Sequence, residues 1–330
     1  MFEIFFKNYS EKLWGIPCKK IDADWAAQRI KGLSLIEAII SALGLGTKGT
    51  HATLVDQFAY PNRGTGSIYT NTAQLIIQNG GKIILKSPVK RIVTKNFKAT
   101  GVLLSSGELI EADEVISTMP LTLMLKGLED IPKSVMDACK SLYFRNTTLV
   151  YLEVEGQDLF SDNWIYVHEP DIQHGRITNF RNWSPGINKG KENSILCLEY
   201  WSFDHDELWK AEDDFLTDLA ITELKKLSLV PPHRSILRSY VHKVKRCYPV
   251  YETGYQIHVD IIKNHLIKYE NLTPIGRYGS YKYNNQDHSI LMGLLCADKI
   301  IEGTNKQDLW NINTDTEYQE DGTVKDILIG

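Results

Sequence analysis

Hydrophobic and polar positions change period along this chain, and the changes divide it into pieces. The opening is helical in spacing: Tyr9, Leu13 and Trp14 fall at i, i+4 and i+5, and Gly15 to Pro17 break the run. Asp22 or Asp24 can cap a second helix running through Arg29. "LSLIEAIISAL" (33–43) repeats the helical pattern up to Gly44. Pro61, Gly64 and Gly66 then mark a loop, and 67–79 read as a helix stopped by Gly80. Such a helix N-terminus favours anions in the loop it aims.

Next, the period shortens. "KIILKS", "VKRIVTK", "ATGVLLSSG" and "ELIEADEVISTMP" are short β-branched runs separated by turn residues, which predicts an antiparallel meander followed by one buried strand at 114–118. From 121 to 270, helices such as "AEDDFLTDLAITELKKL" mix with aromatic strands such as "NWIYVHE", "RITNFRNW" and "ILCLEYWSF". This is the pattern of a separate α+β unit inserted between two pieces of another domain. The closing stretch, "NLTPIGRYGSYKYNNQDHSILMGLLCADKIIEG", gives a strand into Ile275, a glycine-flanked Arg277, a Tyr- and Asn-rich loop, and a helix at about 287–302. Asp287 or Asn285 is its N-cap and Gly303 its stop. Apolar residues surround that helix, which predicts burial with its N-terminus facing inward. The pieces are 1–80 (helical), 81–120 (meander and strand), 121–270 (α+β), 271–305 (strand and helix) and 306–330, an acidic and loose tail.

Composition narrows the function classes. At 43% hydrophobic and 24% charged, the chain is ordinary for a globular protein, and its net charge of −4 gives no overall field for nucleic acid. A local stretch, 57–107, carries seven Lys or Arg and no acid, as a solvated strand face with edge-guarding lysines does. Cys18, Cys139, Cys197, Cys247 and Cys296 are scattered without a C-x-x-C pair, which argues against a zinc site or disulfide framework and fits a reducing, cytoplasmic setting. No apolar run is long enough for a membrane span, and no signal peptide is read.

"GLGTKG" (44–49) matches the G-x-G-x-x-G dinucleotide fingerprint letter for letter. That motif needs a strand before it, a helix after it and an acid ~20 residues on for the ribose. Here a helical pattern precedes it, and after Asp56 no acid occurs until Glu108. The match reads as a loop.

Four segments together carry a family resemblance. "FFKNYSEKLWGIPCKKIDADWAAQRIKGLSL" with "FAYPNRGTGSIY", then "GGKIILKSPVKRIV" through "ADEVISTMP", and finally "GRYGSYKYNNQDHS" resemble the FAD-dependent amine oxidase and protoporphyrinogen oxidase superfamily, including UDP-galactopyranose mutase. The resemblance implies an α/β fold with an α+β insertion. In it, 1–80 and 121–270 belong to the substrate domain, and 81–120 and 271–305 are an FAD-domain remnant. The family's own dinucleotide turn lies before anything matching Met1. That implies a partial two-domain flavoprotein whose amino-terminal FAD-binding half is supplied by a separate chain or absent, so that this chain alone binds FAD weakly or not at all.

The resemblance also implies site residues. Val89 lends its backbone to the adenine, and Thr118 and Met119 end the strand against the cofactor. Gly276, Arg277, Asn285, Asp287, His288 and Ser289 face the flavin, where a helix N-terminus stabilises negative charge on the reduced ring. Arg277 and Tyr283 stand at the spacing with which the mutase holds a nucleotide-sugar diphosphate, suiting a planar fork and a rigid hydroxyl. Arg145, Tyr166, Arg181, Tyr248 and Tyr251 are further substrate candidates, each also an ordinary packing residue of an aromatic sheet. No catalytic residue or metal is assigned. Three functions stay open: an FAD-dependent oxidoreductase in the setting of surface-polysaccharide synthesis, a mutase-like nucleotide-sugar enzyme, and a fragment inactive by itself.

Overall fold

The computed structural model describes residues 7–23, 60–184, 186–188, 190–303 and 308–312. Expectations for "GLGTKG", the helices at 24–43 and the tail beyond 312 lie outside them.

Helix α1 (Asn8–Trp14) ends where Gly15 takes φ 68° and its N–H bonds to Glu11 O. Gly15 is needed twice, because a Cβ there would also meet the Arg145 guanidinium and the Phe203 ring. Helix α2 (Gly66–Gln78) falls where the periodicity puts it, with Gly80 at φ 86° behind it.

The meander is a three-stranded antiparallel sheet of β1 (Val89–Lys95), β2 (Lys98–Leu104) and β3 (Leu109–Glu111). "KIILKS" is not a strand: Ile83, Ile84 and Leu85 are exposed, and no edge among the described residues pairs with them. The predicted buried strand is β4 (Val115–Ser117), and only Val115 and Ser117 are buried while Ile116 is exposed. Its alternation reflects a two-stranded sheet: β4 pairs in parallel with β10 (Leu272–Pro274), Val115 opposite Leu272. Thus 115–117 and 272–274 pair across the whole α+β unit, while the meander forms a separate sheet.

That unit contains helices α3 (Leu121–Lys126) and α4 (Lys133–Ser141) and a five-stranded antiparallel sheet in the order β6-β7-β8-β5-β9. The strands are β5 (Phe144–Glu155), β6 (Trp164–Tyr166), β7 (Arg176–Asn179), β8 (Asn193–Ser202) and β9 (Ile236–Pro249). "FRNW", predicted as strand, is a helical turn capped by the Asn179 side chain. Helix α5 (Asp213–Lys226) covers one sheet face, where Leu216, Ala220 and Leu224 meet Val150, Leu152, Val154, Leu196, Leu198 and Tyr200. The strand period of two sends the alternate residues Glu199 and Trp201 to the opposite face.

Helix α6 (Tyr255–Leu266) packs with α3, α4 and Leu272 in a second core. Helix α7 (Gln286–Glu302) has the predicted stop, Gly303 at φ 66°. It is not buried all round: Met292 and Cys296 are buried, whereas Ile290, Leu294, Ile300 and Ile301 are exposed.

Candidate functional site

The sheet face opposite α5 holds a cross-strand row. Tyr166 pairs with Arg176, and Arg176 pairs with Glu199. The Arg176 guanidinium grips the Glu199 carboxylate with both Nε (2.8 Å) and Nη2 (2.7 Å). Burial works against the Arg176 charge, but Glu199 beside it raises the pKa above the ordinary guanidinium value, so the guanidinium stays charged.

Helix α1 lies over this row. Tyr9 packs edge-on against Tyr166 (5.1 Å) and Trp201 (5.7 Å). A Cβ at Gly175 would run into the Trp201 ring, so the glycine makes room for the indole. Trp14, fully buried, meets Tyr248 at 6.3 Å, Tyr251 at 6.2 Å and Tyr283 at 5.6 Å. Lys12 anchors the helix by donating Nζ to Val167 O (3.0 Å), Glu169 O (3.1 Å) and His174 O (3.3 Å).

Arg277 sits at the rim, on a helical turn spanning Gly276–Gly279. Its guanidinium stacks between the rings of Tyr248 (4.6 Å) and Tyr283 (4.5 Å), and Nη1 donates to Asn284 O at 3.1 Å. Nε and Nη2 are buried and meet no partner among the described residues; the same holds for Trp201 Nε1. Burial raises the Tyr9 and Tyr248 phenols well above their ordinary pKa, and moves Tyr251 to about 12, so these hydroxyls stay protonated. The cluster combines two guanidinium groups with one carboxylate, an aromatic cup with net positive charge suited to an anion.

The loop behind Arg277 is fixed from beneath. Tyr251 OH accepts from Tyr283 N–H (2.8 Å), and Tyr281 OH donates to Tyr143 O (2.7 Å) and lies 3.0 Å from Val250 O. Tyr281 takes φ 52°, a conformation its ring would not choose without these contacts.

Beside the cup, β4 and β10 end together. Ser117 and Pro274 are in register, and the chain continues into Thr118–Met119 and into Gly276–Arg277. Ligands in parallel sheets bind outside the carboxyl ends of strands. Gly276 takes φ 77° with open space where a Cβ would stand, and at Gly279 a Cβ would crowd Ser117 O at 2.7 Å. Ser117 Oγ is buried without a partner among the described residues. These open or unsatisfied positions fit a polar, flat group laid across the strand ends.

Of the sequence candidates, Tyr166, Tyr248, Tyr251, Arg277 and Tyr283 come together in the cup, and Thr118, Met119 and Gly276 lie at the strand ends. Arg145 is buried beneath: it donates to Leu13 O, Lys12 O and Trp201 O, fastening α1 to the sheet. Arg181 is turned to Lys191 O and Asn193 O, away from the cup. Asn285 and His288 form a capping box, Ser289 Oγ donates to Asn285 O, and Asp287 lies 3.1 Å from His288 Nδ1. Val89 opens β1, opposite Leu104. Sequence reasoning missed Tyr9, Trp14, Arg176, Glu199 and Trp201 as site residues. The signal available was an Arg and a Glu each at an alternate position of an aromatic strand.

Among the described residues no His, Cys, Asp and Glu group is arranged for a metal, and no helix is long and apolar enough to cross a membrane.

A family model described as "Flavin containing amine oxidoreductase" matches residues 20–301. A reduced UDP-galactopyranose mutase superposes with a TM-score of 0.80 at 20% identity, over 96% of this chain and 67% of the mutase. A putative protoporphyrinogen oxidase from Exiguobacterium sp. 255-15 gives 0.55 at 15% identity, over 78% of this chain and 53% of that one. A cofactor-site triple mutant of putrescine oxidase gives 0.52 at 15% identity, over 73% and 53%.

Proposed function

This chain belongs to the flavin containing amine oxidoreductase family, and on that premise we propose that it works with FAD as an oxidoreductase of a small molecule, in the setting of surface-polysaccharide synthesis. The observation that carries the reading is the pair of parallel strand ends, with Gly276 open at φ 77° and Ser117 Oγ buried without a partner among the described residues. Bound there, the flavin supplies two-electron chemistry. Thr118, Met119 and Gly276 offer backbone to it, and Gly279 keeps that backbone close to β4. The α7 N-terminus, capped by Asn285 and His288, turns its dipole toward negative charge. Val89 gives its backbone to the adenine. The aromatic cup excludes water and orients the substrate.

A second reading is favoured by Arg277. Its unpartnered Nε and Nη2, between two tyrosines, suit a diphosphate, and the substrate then is a nucleotide sugar handled without net oxidation, as by a mutase. The two readings differ in what the substrate does to the flavin.

FAD added to the purified chain is followed by flavin fluorescence, first in the wild type and then in Thr118→Trp, which fills the strand ends. Quenching that weakens in the variant supports the site, and quenching unchanged in the folded variant overturns it. With flavin bound, anaerobic bleaching by an amine supports the oxidoreductase. Conversion of a UDP-sugar only after dithionite reduction, with no bleaching by substrate, supports the mutase-like reading.

A further inference from the structure

A second cavity, of about 510 Å³, lies between the ends of α3 and α4 and the turn that follows β8. It shares none of its lining residues with the aromatic cup. We propose that it binds a phosphate monoester of a small apolar alcohol, independently of the flavin reading.

Three cations line it: Lys126 from the last turn of α3, Lys140 from the last turn of α4, and Arg246 from β9. Lys126 and Lys140 line it from the ends of α3 and α4, which pack together in one core. Lys126 and the Arg246 guanidinium meet no acid or carbonyl among the described residues. Lys140 touches Asp137 Oδ1, exposed and at 3.5 Å.

Arg246 is held in place. The β5–β9 ladder slips register there, and Arg246 takes φ 56°, which L side chains avoid. Asn146, buried, keeps the bulge: its Oδ1 accepts from Arg246 N–H (2.8 Å) and its Nδ2 donates to Asp204 Oδ1 (2.8 Å). Asp204 is the one carboxylate in the lining, so three cations face one acid in a chain whose net charge is −4. His205 stacks on Phe203 and lies 3.4 Å from Asp206.

The floor is apolar: Ile16, Leu142, Phe144 and Phe203. A bare anion leaves that surface wet, whereas a phosphate monoester with an apolar group covers it and presents its oxygens to two ammonium groups and a planar fork. The volume lies within the range of small-ligand pockets, about 300–1,000 Å³.

Titration calorimetry of the full chain at low salt tests this with phenyl phosphate, inorganic phosphate and phenol. Phenyl phosphate is expected to bind, more tightly than inorganic phosphate, and phenol not to bind. Lys126→Gln with Arg246→Asn, which keeps a residue tolerant of positive φ, should weaken phenyl phosphate by about tenfold or more. Lys126→Gln alone, at an exposed helix end, should weaken it severalfold and covers the case in which the double variant fails to fold. Lys225→Gln, exposed in the last turn of α5 and outside the lining, should change nothing. Equal affinity for inorganic phosphate, unaltered binding in folded Lys126→Gln, or loss in Lys225→Gln would each overturn the assignment.

Discussion

Asn271 and Ala99 bond to one another as adjacent strands do, although 172 positions separate them. The Asn271 side-chain oxygen accepts from Ala99 N–H at 2.8 Å, and its nitrogen donates to Ala99 O at 2.8 Å. The same nitrogen donates to Asp113 O. One buried carboxamide thus ties the meander to β4 and to the segment entering β10, and so places the strand ends at which we locate the flavin.

Asn271→Leu should therefore destabilise the chain by about 2–4 kcal/mol, because it leaves backbone groups buried and unpaired. Asn271→Asp should cost a comparable amount, since a carboxylate cannot donate to two carbonyls. Urea unfolding measures both, and a change under about 0.5 kcal/mol, the scale of an ordinary surface substitution, would deny the tie its structural role.

Arg277 should show the opposite balance. Two of its donors are buried without a partner among the described residues, so Arg277→Met is expected to keep or raise the melting temperature and, on the proposed mutase-like reading, to weaken UDP binding by about ten- to a hundredfold, as loss of a charge-assisted fork predicts. Arg277→Lys should restore little of that affinity, lacking the planar pair of donors. A variant that unfolds with UDP affinity intact would make Arg277 a packing residue.

Glu223 is an acid-sensitive point beneath the sheet. Its carboxylate takes the His174 ring at 2.6 Å, the Gln173 N–H at 2.6 Å and the Tyr200 hydroxyl at 3.0 Å. Burial pushes its pKa up, but the hydrogen bonds from His174 and Gln173 outweigh that and hold it below the ordinary carboxylate value. A depressed carboxyl gives stability above its unfolded pKa and loses it as pH falls through the folded value. Glu223→Gln should lower stability at neutral pH and flatten the acid limb of a stability–pH curve; an unchanged acid limb would count against it.

Lys12 has the reverse sign. Burial lowers its pKa from 10.5 to about 8, so between those values the unfolded chain holds a proton that the folded chain has released. Stability of the wild type should then rise with pH across that window relative to Lys12→Met. Denaturant titrations of both proteins at pH 8 and pH 10 give the difference, and parallel curves would mean that the amine titrates normally.

The sequence by itself determined what depends on neighbours within a few positions. Gly15 and Gly303 end helices because glycine tolerates left-handed backbone, and the apolar spacing of Leu216, Ala220 and Leu224 set the buried stripe of α5. The four segments that carry the family resemblance are local for the same reason. "KIILKS" failed because β-branched composition supplies strand propensity but no partner edge, and none pairs with it among the described residues; α7 failed because an apolar surface is buried only where something covers it, and among the described residues part of its surface is uncovered. The cup was legible only in part. Arg277 and Tyr283 stand close in sequence, but Arg176 meets Glu199 through strand register, and Trp14 meets Tyr248 through the docking of α1. Register and docking follow from the free energy of the whole packed sheet, to which every strand contributes, so no single stretch of sequence contains them.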